Sequence, residues 1–178
     1  MDRSVAAPAG RLMAKTLYTL EVTLTDGYMT EEFFQANPVV SRTIEMRGSQ
    51  TLEQFHKAIF RAHDRWDDCH LCEFQFGEGP HDRSGDRYVL PFIFHGPPEF
   101  DQEPATGSID ETRLDDRGLE VGRYFGYWYD FGDNWYHQIE VVAIGEPVPK
   151  RRYPRVTARV GESPPQYPPE EEYDEDEE

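Results

Sequence analysis

The chain has 178 residues, 37% of them hydrophobic and 13% aromatic, which is enough for one sizeable core. Against 18 Lys and Arg stand 35 Asp and Glu, a net charge of -17, and that field repels phosphate backbones and anionic lipid. No apolar run approaches the roughly 20 residues that span a bilayer, no signal-type apolar region opens the chain, and two cysteines make no disulfide framework. A cytoplasmic protein with neither a nucleic-acid nor a membrane partner is expected.

Residues 1–14, small and without period, read as a flexible lead. From Thr16 to Thr25, Tyr18, Leu20, Val22 and Leu24 alternate with polar residues, the pattern of a half-buried strand. Asp26-Gly27 and Asn37-Pro38 signal turns, and the β-branched run Val39 to Arg47 predicts a second strand paired with the first. Thr51-Leu52-Glu53-Gln54 fits a capping box, and Leu52, Phe55, Ile59 and Phe60 follow at helical spacing, predicting a helix to about Arg65 or Trp66. Cys69 to Phe76 reads as a strand with His70, Cys72, Phe74 and Phe76 on one face. Residues 77–86 read as loop, Tyr88 to Phe94 as a strand weakened by Pro91, and 95–110 as loop. Thr112 to Leu119 suggests a short helical turn ended by Gly118 or Gly122.

The clearest hairpin joins Arg123–Phe131 to Trp135–Ile144. Phe125, Tyr127, Tyr129 and Phe131 share one face of its first arm, and Trp135, His137, Ile139, Val141 and Ala143 one face of its second. Past Gly145 the chain is Pro-rich and briefly basic, with Lys150, Arg151, Arg152, Arg155 and Arg159; residues 168–178 form an acidic tail expected to stay solvated and disordered. A hairpin, a helix and then further strands without a βαβ rhythm predict a single α+β domain over 15–167. Its expected form is one main helix on an antiparallel or mixed sheet of about five or six strands, β-grasp-like.

The histidines carry most of the chemical signal. His56 and His63 fall inside the apolar arc of the helix, His70 on the Cys72–Phe74 face, and His137 on the Trp135–Ile139 face. Three elements therefore aim imidazoles at one core, where an unsatisfied ring nitrogen is costly. One reading is a structural polar cluster, with Asp130 and Asp133 shaping the hairpin turn. The other is a metal or acid–base site built from His56, His70, His137 and one of Asp130 or Asp133. Imidazole and carboxylate ligands suit Zn, Mn or Fe and would activate water in a hydrolase or lyase. Cys69 and Cys72 have no second Cys pair, and strand alternation puts their sulfurs on opposite faces. Tyr124, Trp128 and Tyr136 alternate to the outward face, and exposed aromatics on an acidic surface fit a protein partner. A binding or adaptor module using that strip is the leading expectation, and the metal-assisted enzyme its alternative.

Three segments taken together, LEQFH (52–56), WDDCHLCEF (66–74) and YDFGDNWYHQIE (129–140), resemble the plasmid pRi ORF-three-like family, also labelled insertion-element TnpR-like. The resemblance spans about residues 15–167 and implies an α+β fold, an association with mobile elements in bacterial genomes, and no settled activity. The TnpR label suggests resolvase chemistry, for which the chain holds no serine-recombinase pattern. Where many relatives carry Cys-Pro-Pro-Glu-Asp, this chain has Ser163-Pro164-Pro165-Gln166-Tyr167, so no role of that Cys or acid pair carries over.

Overall fold

The period-two run opens the structure as β1 (Leu17–Asp26), in which Tyr18, Leu20, Val22 and Leu24 are buried and the residues between them are not. A computed structural model describes residues 15–97 and 103–167, so the expected lead 1–14 and tail 168–178 lie outside the described residues. A short helix α1 (Glu31–Ala36), capped by the Thr30 hydroxyl on the Phe33 amide, leads to β2 (Ser41–Arg47). The capping box forms as expected: Thr51 and Gln54 exchange side chain-to-backbone hydrogen bonds and start α2 (Leu52–Ala62). Then come β3 (Cys72–Phe76), β4 (Asp86–Val89), α3 (Pro91–Phe94), β5 (Gly107–Ser108), a 3-10 turn (Leu114–Arg117), β6 (Tyr124–Tyr129), β7 (Trp135–Gly145) and β8 (Arg155–Val160).

The strands form one sheet in the order β5-β4-β3-β6-β7-β1-β2-β8, antiparallel except for β4 with β5. Cross-strand registers fix which side chains stack on the inner face. Leu24, His137, Tyr127, Phe74 and Tyr88 follow one another across five strands, with Trp135, Tyr129 and Cys72 forming the next row. Helix α2 buries Leu52, Phe55, His56, Ile59 and Ala62 against this face, and Phe55 stacks on Phe74 at 5.6 Å between ring centroids. Burying each such aromatic contributes roughly 1.5–3 kcal/mol, so the helix is held by its packing rather than its propensity.

The sheet has eight strands with three helices among the described residues, one of them long, so the structure is mostly sheet. The expected five or six strands in a β-grasp-like arrangement are therefore corrected. Edge strand β8 has no buried residue, and without a buried face it shows no core periodicity to read. Strand β5 is only two residues long. The expected strand through Phe94 stops at Val89 because Pro91 starts a helical turn at its first position, where a missing N–H costs nothing. Helix α2 ends at Ala62 rather than near Trp66, and β3 begins at Cys72, which leaves Asp64–Leu71 as an irregular connection. No helix among the described residues is long and apolar enough to cross a membrane.

Candidate functional site

The residues with chemistry gather at the end of the sheet where β6 hands over to β7. Asp130 opens that turn with φ +53°, a left-handed geometry that short polar side chains tolerate. Its amide donates to the Leu71 carbonyl at 2.9 Å, which ties the turn to the segment preceding β3. Its Oδ1 accepts from the amides of Gly132 (3.1 Å) and Asp133 (3.4 Å), while Oδ2 faces His70 Nδ1 at 3.4 Å. The other His70 nitrogen, Nε2, lies 2.7 Å from the Tyr167 hydroxyl and 3.4 Å from Asp67 Oδ2. Tyr167 donates to the same Asp67 oxygen at 2.8 Å. A half-exposed imidazole thus stands between two carboxylates with a phenol beside it.

The C-terminal strap 161–167 builds half of this site. Gln166 Oε1 accepts from the amides of Trp66 (2.9 Å) and Asp67 (3.0 Å), and its Nε2 donates to the Asp67 carbonyl at 2.7 Å. The Tyr129 hydroxyl donates to that same carbonyl. The Tyr167 hydroxyl, and after it the Cys69 amide, hold the Asp67 carboxyl below its usual range. Desolvation, then the hydrogen bond to Asp67, push Tyr167 up to about 12. Arg42, buried in β2, crosses beneath the strap and donates to Ser163 Oγ at 2.8 Å.

The remaining imidazoles lie deeper. His56 Nδ1 sits 2.7 Å from the Tyr127 hydroxyl, and burial pushes its pKa down to about 4. His63 Nδ1 lies 3.1 Å from the Ile59 carbonyl, which can only accept, so its proton sits there. Burial takes His63 down to about 3. His137 is fully buried, edge-on to His63 at 4.9 Å between centroids and beside the backbone of Tyr127 and Trp135, which offers its ring hydrogen bonds. Burial holds it neutral, well below 6.5. Next to this pair the Arg65 guanidinium lies over the Trp135 ring at 4.1 Å, and its Nη1 and Nη2 are buried without a hydrogen-bond partner among the described residues.

Of the five residues expected to cluster, the structure brings together His70 and Asp130. His56 and His137 flank Tyr127 instead, at 6.0 and 5.3 Å between ring centroids, and Asp133 contributes its backbone amide to the turn. The imidazoles line one aromatic wall without meeting at a point. Among the described residues no group of three or more His, Cys, Asp or Glu side chains is placed to hold a metal ion. Cys69 is exposed and Cys72 buried, both as free thiols. Asp67 and its neighbours raise the Cys69 thiol, so it is not an activated nucleophile. Sequence reasoning missed Asp67, Gln166, Tyr167 and Trp66. Trp66 and Asp67 stand inside the quoted WDDCHLCEF segment; the strap residues gave no signal, because nothing in the sequence says what the chain folds back on.

The outward strip is occupied by its own neighbours. Trp128 is stacked between Phe131 (3.6 Å) and Tyr136 (5.0 Å), and His81 covers Tyr136 at 3.7 Å. Phe131, expected to face inward, lies beyond the end of β6 and turns to this outer face. Loop 77–85 lies this close because residue 126 is glycine; a Cβ there would meet Pro80 Cα at 2.9 Å. Beneath the loop, buried Glu73 accepts from Arg87 at 2.6 Å and Arg83 at 3.0 Å. Tyr124, 38% exposed, is the most open of the three expected contact residues.

An open-edged mixed sheet with one long helix and a His–carboxylate–Tyr centre under a C-terminal strap defines the architecture. The profile of the plasmid pRiA4b ORF-3-like proteins matches residues 18–168, and the chain belongs to that family. A crystal structure of a protein of unknown function from Methanosarcina mazei Go1 is similar, with a TM-score of 0.62 and 26% sequence identity, covering 83% of this chain and 71% of that one. No curated protein matches the chain.

Proposed function

We propose that this protein is a recognition module for a protein partner, and that the contact centres on Trp66 and takes a basic segment of that partner. An exposed tryptophan already fixed in place carries the reading. Trp66 is 72% exposed, yet its amide and that of Asp67 are anchored on Gln166, and its ring rests edge-on against Tyr167 at 5.5 Å. A large ring ordered before binding loses little entropy on contact, which is how aromatic hot spots gain affinity.

The chemistry around it selects the partner's charge. Asp67 stays ionised beside it, and Asp68 is exposed. A tryptophan face among carboxylates suits a Lys or Arg side chain. The Tyr124, Trp128 and Tyr136 strip is the weaker contact, since Phe131 and His81 cover the outer ring faces of its Trp128–Tyr136 stack. Fluorescence polarisation with a short fluorescein-labelled Arg-rich peptide tests the reading. Trp66→Ala is expected to weaken binding roughly 10- to 30-fold, the scale of a hot-spot residue, and Tyr124→Ala to leave it unchanged. Equal affinity for wild type and Trp66→Ala would sink the proposal.

A second reading, acid–base chemistry at His70, is favoured by the carboxylate on each side of its ring. It ranks second because Tyr167 occupies Nε2, the nitrogen a substrate would need. The metal-assisted hydrolase or lyase form of this reading predicts about one equivalent of Zn, Mn or Fe in purified protein, lost in His70→Ala. Elemental analysis that finds none in the wild type removes it.

A further inference from the structure

The Trp66 contact calls for a basic segment, and the chain carries one at its far end. Resting on that reading, we infer that the basic segment of a second copy of this chain fills the Trp66 surface, so that copies associate head to tail. The cationic tip is Lys150, Arg151 and Arg152, all exposed in the connection between β7 and β8. None of the three makes an ion pair among the described residues. In a chain of net charge -17, three adjacent cations without an acidic partner among the described residues are what a complementary surface would select.

The tip has a defined shape. Arg47 Nη2 donates to the Arg151 carbonyl at 3.3 Å, and its guanidinium lies over the Tyr153 ring at 5.3 Å. Gln50 Nε2 holds the Tyr153 carbonyl at 3.0 Å. Alongside, Lys15, Arg47 and Arg113 line a groove of about 370 Å³, partly offset by Asp115 and Asp116. The segment is therefore presented in one conformation, which lowers the ordering cost of docking.

Strand registers place the two surfaces at opposite ends. Leu17 pairs with Arg47 and Gly145, so the β7–β8 connection lies at the end where β1 begins. Asp26 pairs with Tyr136 and Tyr129 with Trp135, so the Trp66 segment and its Tyr129 contact lie where β1 finishes. Ten residues of β1 at about 3.3 Å each separate the ends by roughly 30 Å, too far for a tip to reach Trp66 of its own molecule. The contact is then between molecules, and joining unlike surfaces makes it heterologous, propagating as a chain or closing as a ring rather than stopping at a two-fold dimer.

Sedimentation velocity on the full chain tests this. At low ionic strength the sedimentation coefficient is expected to rise with concentration and to return to the monomer value near 0.5 M NaCl, where charges are screened beyond about 4–5 Å. Trp66→Ala, and separately the pair Arg151→Glu with Arg152→Glu, should each stay monomeric with unchanged circular dichroism. Mixed together they should form a dimer and nothing larger, because each retains the surface the other has lost. A wild type that stays monomeric at all concentrations, or a mixture that does not dimerise, overturns the inference. If the Arg-rich peptide still binds through Trp66 in that case, the recognition reading stands alone; if it does not, both fall. Salt-sensitive DNA retention lost in the Arg-to-Glu pair, without any change in sedimentation, would reassign the tip to nucleic acid.

Discussion

Lowering the pH from 7 to 5 is expected to destabilise the protein by several kcal/mol, well before its carboxylates titrate. His56 and His63 have folded values near 4 and 3, and His137 lies well below 6.5, while in the unfolded chain each returns to about 6.5. Below 6.5 the unfolded state binds protons that the folded state refuses. Stability is thus fully present above pH 6.5 and is lost as pH falls toward 4. His56 and His63 each contribute roughly 1.4 kcal/mol per pH unit, so the two over one and a half units reach on the order of 4 kcal/mol, and His137 adds in the same direction; that is comparable with the whole stability of a marginal domain. Relief of the chain's acidic self-repulsion has the opposite sign but is small in this window, where Asp and Glu stay ionised. Urea titrations at steps between pH 7 and 5 measure the slope. His137→Leu should make it shallower, because the unfolded chain then has one fewer imidazole to protonate. A flat profile in the wild type would contradict the buried-histidine account.

The largest single-residue loss is expected at Trp135. Its ring is fully buried, Arg65 lies over it at 4.1 Å, and Gly27 at φ +150° sits so close that a Cβ there would fall 2.2 Å from Cε3. Trp135→Ala removes the ring and strands a buried cation, and should cost about 3–5 kcal/mol. For a chain of this length that lowers Tm by roughly 10–15 °C in a thermal scan. Adding Arg65→Met should recover part of the loss, since the uncompensated charge goes with it; a further additive loss would show that Arg65 is stabilised elsewhere.

Local signals in the sequence carried through wherever one face of an element is buried. The Tyr18–Leu24 alternation, the Thr51–Gln54 box and the Trp135 stripe each report a boundary between core and solvent; the first two formed as read, and the stripe did so through Val141, while Ala143 at its expected end is exposed. Elements without such a boundary left no trace: β8 has no buried side, α1 buries nothing, and β5 is two residues long. Phe131 misled because strand alternation was extended past Tyr129, where Asp130 turns left-handed and ends the pleat. The histidine pattern gave burial correctly for residues 56, 63 and 137, but period alone cannot say which ring meets which partner.

The amino-acid sequence by itself determined the acidic charge, the main helix with its cap, the central hairpin, the inward row of the first strand and the family. Only the tertiary structure decided that eight strands share one sheet, that His70 rather than His137 meets the carboxylates, and that Trp66 stands out fixed while Trp128 is covered. The difference has one cause. Periodicity encodes how each residue faces water, whereas the His70 centre is made by contacts between Asp67 and Tyr167, 100 positions apart, whose meeting depends on the path of the whole chain.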